Sequence, residues 1–160
     1  MYKTNYILKC CLLGVLLVFL GNSAIAQPSA VQARQLMSEK KYDQALDIYN
    51  SLYDQFPDSL YREYYKALLT AGKYKVAEKI TEKQINRTKD PLLRIDLGVV
   101  YDNQKKDAKA KEQFESIVQM VNGDMILTDR IIKAFTEAER DDYTLRVYER
   151  ATQILNAPYF

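Results

Sequence analysis

Side chains able to do chemistry are scarce in this chain beyond residue 26. The sequence holds no His anywhere, and its two cysteines are Cys10 and Cys11. Residues 27–160 therefore offer no thiol nucleophile, no Ser–His pairing and no common zinc ligand set. The glycines beyond residue 26 are Gly72, Gly98 and Gly123, too dispersed for a loop that cradles phosphate. Asp141-Asp142 is a carboxylate pair, but adjacent residues on a helix point away from each other, so a helix cap is the expected role rather than a metal site. Asn86-Arg87-Thr88 fits a glycosylation sequon, a pattern too short to carry weight alone. Lys105-Lys106 and Lys109-Ala110-Lys111 are basic clusters interleaved with acids, which is the pattern of a solvated surface. These residues predict no enzyme, no cofactor and no metal.

The elements that must position the remaining side chains are helical. Apolar residues recur at helical spacing in Ala45, Tyr49, Leu52, Tyr53 and Phe56, and again in Ala110, Phe114, Ile117 and Val121, while strand-like alternation is absent. Breakers cluster at Pro57-Asp58-Ser59, Asp90-Pro91 and Asn122-Gly123-Asp124. Asp90 is expected to cap a helix with Pro91 at its first position, and Asp107 and Asp141 or Asp142 to cap later ones. Pairs of helices joined by short turns follow.

Residues 1–26 are of another kind. Lys3 and Lys9 head the segment without an acid, Cys10 to Leu20 form an apolar run, and Ala24-Ile25-Ala26 ends it with small residues. That is the pattern of a cleaved secretory signal, with Gln27 as the new N-terminus. A membrane anchor needs about 20 apolar residues, roughly twice what this run supplies. Cys10 and Cys11 stand at the start of the run, beside Lys9, the wrong end for lipidation. The segment carries two basic and no acidic residues of the chain's 23 and 21, so residues 27–160 hold 21 of each and are formally neutral. Nothing in that balance points to nucleic acid or to an anionic membrane.

Internal repetition organises the rest. Ala45, Ala77, Ala110 and Thr144 occupy equivalent positions, 32, 33 and 34 residues apart. Around them stand Lys41-Tyr42-Asp43-Gln44-Ala45 with Tyr49, Leu52 and Pro57; Gly72-Lys73-Tyr74-Lys75-Val76-Ala77; Leu97-Gly98-Val99-Val100-Tyr101 with Ala110, Phe114 and Ile117; and Asp141-Asp142-Tyr143-Thr144 with Tyr148, Ala151 and Pro158. Period and pattern resemble the tetratricopeptide repeat, a helix–turn–helix unit of about 34 residues. The third unit agrees best, while Thr81 stands where an aromatic is expected and Thr144 where the small Ala is.

The resemblance implies an all-α, right-handed α-solenoid of four units, at about 27–58, 59–90, 91–123 and 124–158, with 159–160 as a tail. It implies that Ala45, Ala77, Ala110 and Gly98 lie at close helix crossings, and that Tyr49, Phe114 and Tyr148 fill the space to the next hairpin. Tyr61, Tyr64, Tyr65, Tyr74 and Tyr101 are expected at core or semi-core positions. It further implies a concave face lined by the first helix of each unit. Carried over by register, that face comprises Arg34, Met37, Arg62, Glu63, Lys66, Leu69, Ile95, Asp96, Val99, Asp102, Asn103, Arg130, Lys133 and Glu137, of which Arg34, Arg62, Lys66, Asp96, Asp102, Asn103, Arg130 and Lys133 are the expected protein-binding residues. The family's carboxylate clamp is absent, because Ala30, Arg34, Glu63, Leu92 and Asp96 stand at its positions. No exposed aromatic is expected among the lining residues, which argues against a glycan platform.

The expected function is therefore that of an exported scaffold, periplasmic or envelope-associated, that holds a protein or peptide partner. No nucleic acid is expected as a ligand, nor stable membrane insertion once the signal is cleaved. The alternative is the interaction segment of a larger envelope assembly factor or enzyme. Leu145, Tyr148, Ile154 and Leu155 on the last helix are expected to leave some apolar surface open for self-association.

Overall fold

The computed structural model describes residues 29–157. They form eight helices: α1 (Ala30–Ser38), α2 (Tyr42–Gln55), α3 (Pro57–Thr70), α4 (Tyr74–Thr88), α5 (Leu93–Asn103), α6 (Asp107–Val118), α7 (Met125–Glu137) and α8 (Asp141–Leu155). Each helix packs chiefly on its chain neighbours, giving an all-α stack of antiparallel pairs, the tetratricopeptide-like solenoid arrangement. The last pair differs, because α8 comes closer to α6 along its backbone than α7 does.

The helices form where the apolar spacing matches their turn. In α3 the buried face is Tyr61, Tyr64, Tyr65 and Leu68; in α4 it is Ala77, Ile80, Thr81 and Gln84; in α6 it is Ala110, Gln113, Phe114 and Ile117. All three follow the i, i+3, i+4, i+7 stripe of a helix with one covered side. In α5, Leu93, Ile95, Asp96, Leu97, Gly98, Val100 and Tyr101 are all buried, which is what a helix gripped by neighbours on both sides requires.

The repeat is most legible in the backbone. The turns inside the four helix pairs place Lys40, Gly72, Lys105 and Glu139 in the left-handed region, with φ of 59, 68, 61 and 55°. These positions are again 32, 33 and 34 residues apart. In each turn two N–H groups reach back in the same way. Lys41 N–H donates to Leu36 O, Lys73 to Leu68, Lys106 to Tyr101 and Arg140 to Phe135, at 2.9–3.0 Å. This is the Schellman closure, which satisfies carbonyls a helix end would leave bare.

That closure corrects the expected caps. Lys106 and Arg140, not aspartates, occupy the cap positions of α6 and α8, and neither makes a capping side-chain bond. Asp107, Asp141 and Asp142 sit in the first turn instead, where they favour the helix through its dipole. Asp90 does accept from a free N–H, that of Leu92 at 3.0 Å, but Pro91 and Leu92 form a turn and α5 begins only at Leu93. True side-chain caps occur at Ser29, which accepts from Gln32, and at Asp124, which accepts from Ile126 and Leu127.

The core has two parts. One joins the first four helices with Leu93 and Val100 of α5; the other joins α5 to α8. Aromatic rings dominate both, with Tyr49 stacked on Tyr64 and Phe114 set 4.7 Å from Tyr143. Ala45, Ala77 and Ala110 are buried as the crossing positions require, and Thr144 is half-buried. Gly98 lies flat against the Phe114 ring, so close that a Cβ there would fall inside the ring's van der Waals surface. Tyr148 departs from expectation. It is 53 % exposed, because no helix among the described residues lies beyond α8 for it to meet.

Candidate functional site

The floor of the site is a buried polar cluster where α3 meets α5. Asp96 is nearly inaccessible, yet it faces Arg62 of α3, whose Nη1 donates to Asp96 Oδ1 at 2.7 Å and Oδ2 at 2.9 Å. The Tyr61 hydroxyl donates to Asp96 Oδ2 at 2.8 Å, and the Tyr65 hydroxyl donates to the Asp96 carbonyl at 2.9 Å. Thr81 Oγ1 lies 3.2 Å from the Tyr61 hydroxyl. A buried Thr at the position where an aromatic is expected thus completes the cluster.

Burial pushes the Asp96 carboxyl above the ordinary aspartate range, and Arg62 and the Tyr61 hydroxyl pull it only part of the way back. Burial works against the Arg62 charge, but the facing Asp96 outweighs it and holds the guanidinium protonated. Tyr61 and Tyr65 are held neutral by burial first and by the Asp96 charge second.

Above this floor lies a cleft of about 590 Å³ between α3, α5 and α7, lined by Arg62, Tyr65, Lys66, Leu69, Asp96, Val99, Ala134, Glu137, Ala138 and Glu139. Its walls differ in sign. Arg62 and Lys66 stand one turn apart on α3, while Glu137 and Glu139 stand at the end of α7. Leu69, Val99, Ala134 and Ala138 supply apolar surface between them. A second hollow of about 270 Å³ adjoins Lys66 on its other side, lined by Arg34, Met37, Tyr49, Glu63, Lys66, Ala67 and Thr70.

Of the expected binding residues, the structure gathers Arg62, Lys66 and Asp96 at the cleft, with Leu69, Val99 and Glu137 beside them. Arg34 belongs to the second hollow and is bound to Glu63 at 2.9 Å. The others lie elsewhere. Asp102 accepts from Arg140 at 2.8 Å, and Asn103 Nδ2 donates to Val99 O of its own helix. Arg130 lies 3.9 Å from Asp90, toward the opposite ends of the helices, and Lys133 is exposed but lines neither hollow. Ile95, expected on this face, is 1 % exposed, since α5 is covered on nearly every side. Asp96 lines the cleft only through its floor.

Tyr65, Ala134, Ala138 and Glu139 line the cleft without having been expected there. Tyr65 is one turn from Arg62 and Ala134, Glu137 and Ala138 share one stripe of α7, so helical spacing carried the signal. Tyr65 offers no sugar platform, because its ring is buried and its hydroxyl is bonded to the Asp96 carbonyl.

Among the described residues no group of three or more His, Cys, Asp or Glu side chains is placed to hold a metal ion. None of their helices is long and apolar enough to cross a membrane. The signal segment expected over 1–26 lies outside the described residues. The helical repeat fold is consistent with a scaffold for protein–protein interaction.

Comparison with the curated proteins finds none that matches this chain. Comparison with protein families matches residues 13–59 to the tetratricopeptide repeat. The match covers α1, α2 and the start of α3, where residue-by-residue agreement had been better in the third unit, and it begins inside the apolar run read as part of the signal. A tetratricopeptide-like repeat is thus present over residues 13–59, within a chain whose backbone repeats the same turn four times.

Proposed function

We propose that this protein is an exported scaffold that holds a protein partner against the first-helix face of its solenoid. The observation that carries this reading is the cleft between α3, α5 and α7. There Asp96 fixes Arg62 from beneath, while Lys66 has no ion-pair partner among the described residues. A cation held in place by a buried carboxylate loses little side-chain freedom on binding, which is how a surface is prepared for a ligand. Opposed charge on the α7 wall sets the direction in which a polar segment lies. A photocrosslinking amino acid in place of Val99 or Leu69 is expected to capture a partner that the same amino acid in place of Lys111 does not. Capture from Lys111 alone would remove the cleft from consideration.

Export rests on the basic head, apolar run and A-x-A end of residues 1–26. Intact mass of the protein recovered from the cell envelope is expected to correspond to a chain starting at Gln27. A membrane-bound species that keeps Met1 would contradict it.

A second reading, self-association, is favoured by α8. Leu145, Tyr148 and Leu155 are 60, 53 and 60 % exposed, and with Thr152 they form a 3-4-3 seam along one side of the helix. Ile154 does not join them, because it packs against the core. Light scattering is expected to show concentration-dependent dimers that Leu145→Glu with Tyr148→Glu abolishes. A monomer at every concentration would exclude this reading and leave the cleft reading intact.

A further inference from the structure

The loop between α6 and α7 carries Asn122 and Gly123, both exposed and neither part of the cleft. The chain is held on either side of them. Arg150 Nε donates to Val121 O at 3.1 Å, and the Asp124 carboxylate caps α7. Gly123 has a φ of 94°, a conformation costly for any residue with a Cβ. The turn thus places after Asn122 the residue type that shields its own amide nitrogen least.

Asparagine is among the thermally labile side chains of proteins. It is lost when the amide nitrogen of the next residue attacks the side-chain carbon, and that attack requires the N–H to give up its proton. A hydrogen bond that engages the N–H opposes it. Asn50 and Asn86 lie inside α2 and α4, where the N–H groups of Ser51 and Arg87 belong to the helical ladder. After Asn103 and Asn156, the Gln104 N–H donates to Val100 O and the Ala157 N–H to Ile154 O. The Gly123 N–H donates to nothing among the described residues, which sets Asn122 apart from the other four.

The carboxamide is also folded toward that nitrogen. Asp124 N–H donates to Asn122 Oδ1 at 3.0 Å, closing an Asx turn that arches the side chain over the Gly123 peptide. The same N–H stands where negative charge develops on Oδ1 during attack. Asn122 Nδ2, the leaving group, has no hydrogen-bond partner among the described residues.

We propose that Asn122 is a site of self-modification, where the carboxamide becomes a carboxylate through a cyclic imide formed with Gly123. Hydroxide takes the Gly123 N–H proton, and the nitrogen bonds to Asn122 Cγ. The Cγ–Nδ2 bond breaks, and Nδ2 leaves as ammonia with a proton from water. Water then opens the imide at either carbonyl. Cleavage between Cγ and the nitrogen gives aspartate. Cleavage of the original peptide bond gives isoaspartate, with the main chain running through Cβ and Cγ. Either product adds one negative charge. The isoaspartyl form also inserts a methylene ahead of Asp124, whose Oδ1 accepts from Ile126 and Leu127 at 2.9 and 3.1 Å. The change therefore falls on the cap of α7, the helix that forms one wall of the cleft.

The test keeps the folded protein in mildly alkaline buffer beside the free peptide Met-Val-Asn-Gly-Asp-Met, residues 120–125, until the peptide has converted. Isoelectric focusing is expected to show a species more acidic by one charge. Peptide mass mapping should place the new acid at Asn122, and enzymatic methylation of isoaspartate should detect part of it. Asn122→Ser, which has no carboxamide, and Asn122→Gln, which would need a larger ring, should both lose the acidic species. Circular dichroism melts matching the parent show that these variants are folded. A folded protein that keeps its Asn122 carboxamide after the peptide has converted would overturn the proposal, because the loop would then protect the site. So would faster conversion at Asn50, Asn86, Asn103 or Asn156, or an acidic species that persists undiminished in both variants.

Discussion

Gly98 and Asp96 lie two residues apart on α5, and each faces a neighbour from another helix. At Gly98 that neighbour is the Phe114 ring, which leaves no room for a Cβ. Ala is the better helix former by about 1 kcal/mol, yet Gly98→Ala is expected to lower stability by about 1–3 kcal/mol, as overpacking does. Phe114→Leu in the same chain should recover part of the loss, and thermal melts of the single and double variants check both. At Asp96 the neighbour is Arg62, and burial determines the sign. A carboxyl whose folded pKa lies above its unfolded value binds its proton more readily in the folded state. The stability this gives is fully present below the unfolded value, about 3.9, and is lost as pH rises through the folded one. The stability of the parent relative to Asp96→Asn is therefore expected to increase as pH falls from neutral toward the ordinary aspartate range. Urea titrations across that range test this, and a difference that shrinks on acidification would mean that the Arg62 pair, not burial, dominates.

At the scale of the element, the left-handed turn is the unit that repeats. Three of its four occurrences use a residue with a Cβ, namely Lys40, Lys105 and Glu139, and only Gly72 is free of the steric penalty. Lys40→Gly, Lys105→Gly and Glu139→Gly are each expected to raise stability by about 1 kcal/mol, and Gly72→Ala to lower it by about as much. Chemical denaturation of the four variants measures this, and stabilisation by Gly72→Ala would contradict the turn geometry. The turn also accounts for the misplaced caps. A chain leaving one helix through a Schellman closure enters the next within two residues, so the aspartates fall into the first turn, where they still act on the dipole.

Across the whole molecule, stability follows position in the stack. A solenoid unit is supported by its neighbours, so terminal helices have less to hold them. The only buried residue of α1 is Ala33, and α8 buries only Tyr143 and Val147, whereas seven of the eleven residues of α5 are buried. Amide hydrogen exchange is expected to be fastest in α1 and α8 and slowest in α5, where the Asp96 cluster joins the two halves of the core. Uniform protection from α1 to α8 would show that the stack opens only as one unit.

Periodicity alone determined the helical class of this protein, because a helix that buries one face must write that face into its sequence every three to four residues. The resemblance to the repeat family located the small residues at the crossings, where Ala45, Ala77 and Ala110 recur with the same spacing as the turns. Family register placed Arg62, Lys66 and Leu69 on the face that forms the cleft. What periodicity cannot encode is which charges meet. Arg34, Asp102 and Arg130 pair with residues 29, 38 and 40 positions away, and only the stacking of helices decides those pairings. The same holds for the polar floor: Asp96 reads as an exposed groove acid until α3 lies over it and brings Tyr61, Arg62 and Tyr65 within bonding distance. Sequence spacing describes one helix at a time, whereas burial and charge pairing arise from the packing of several.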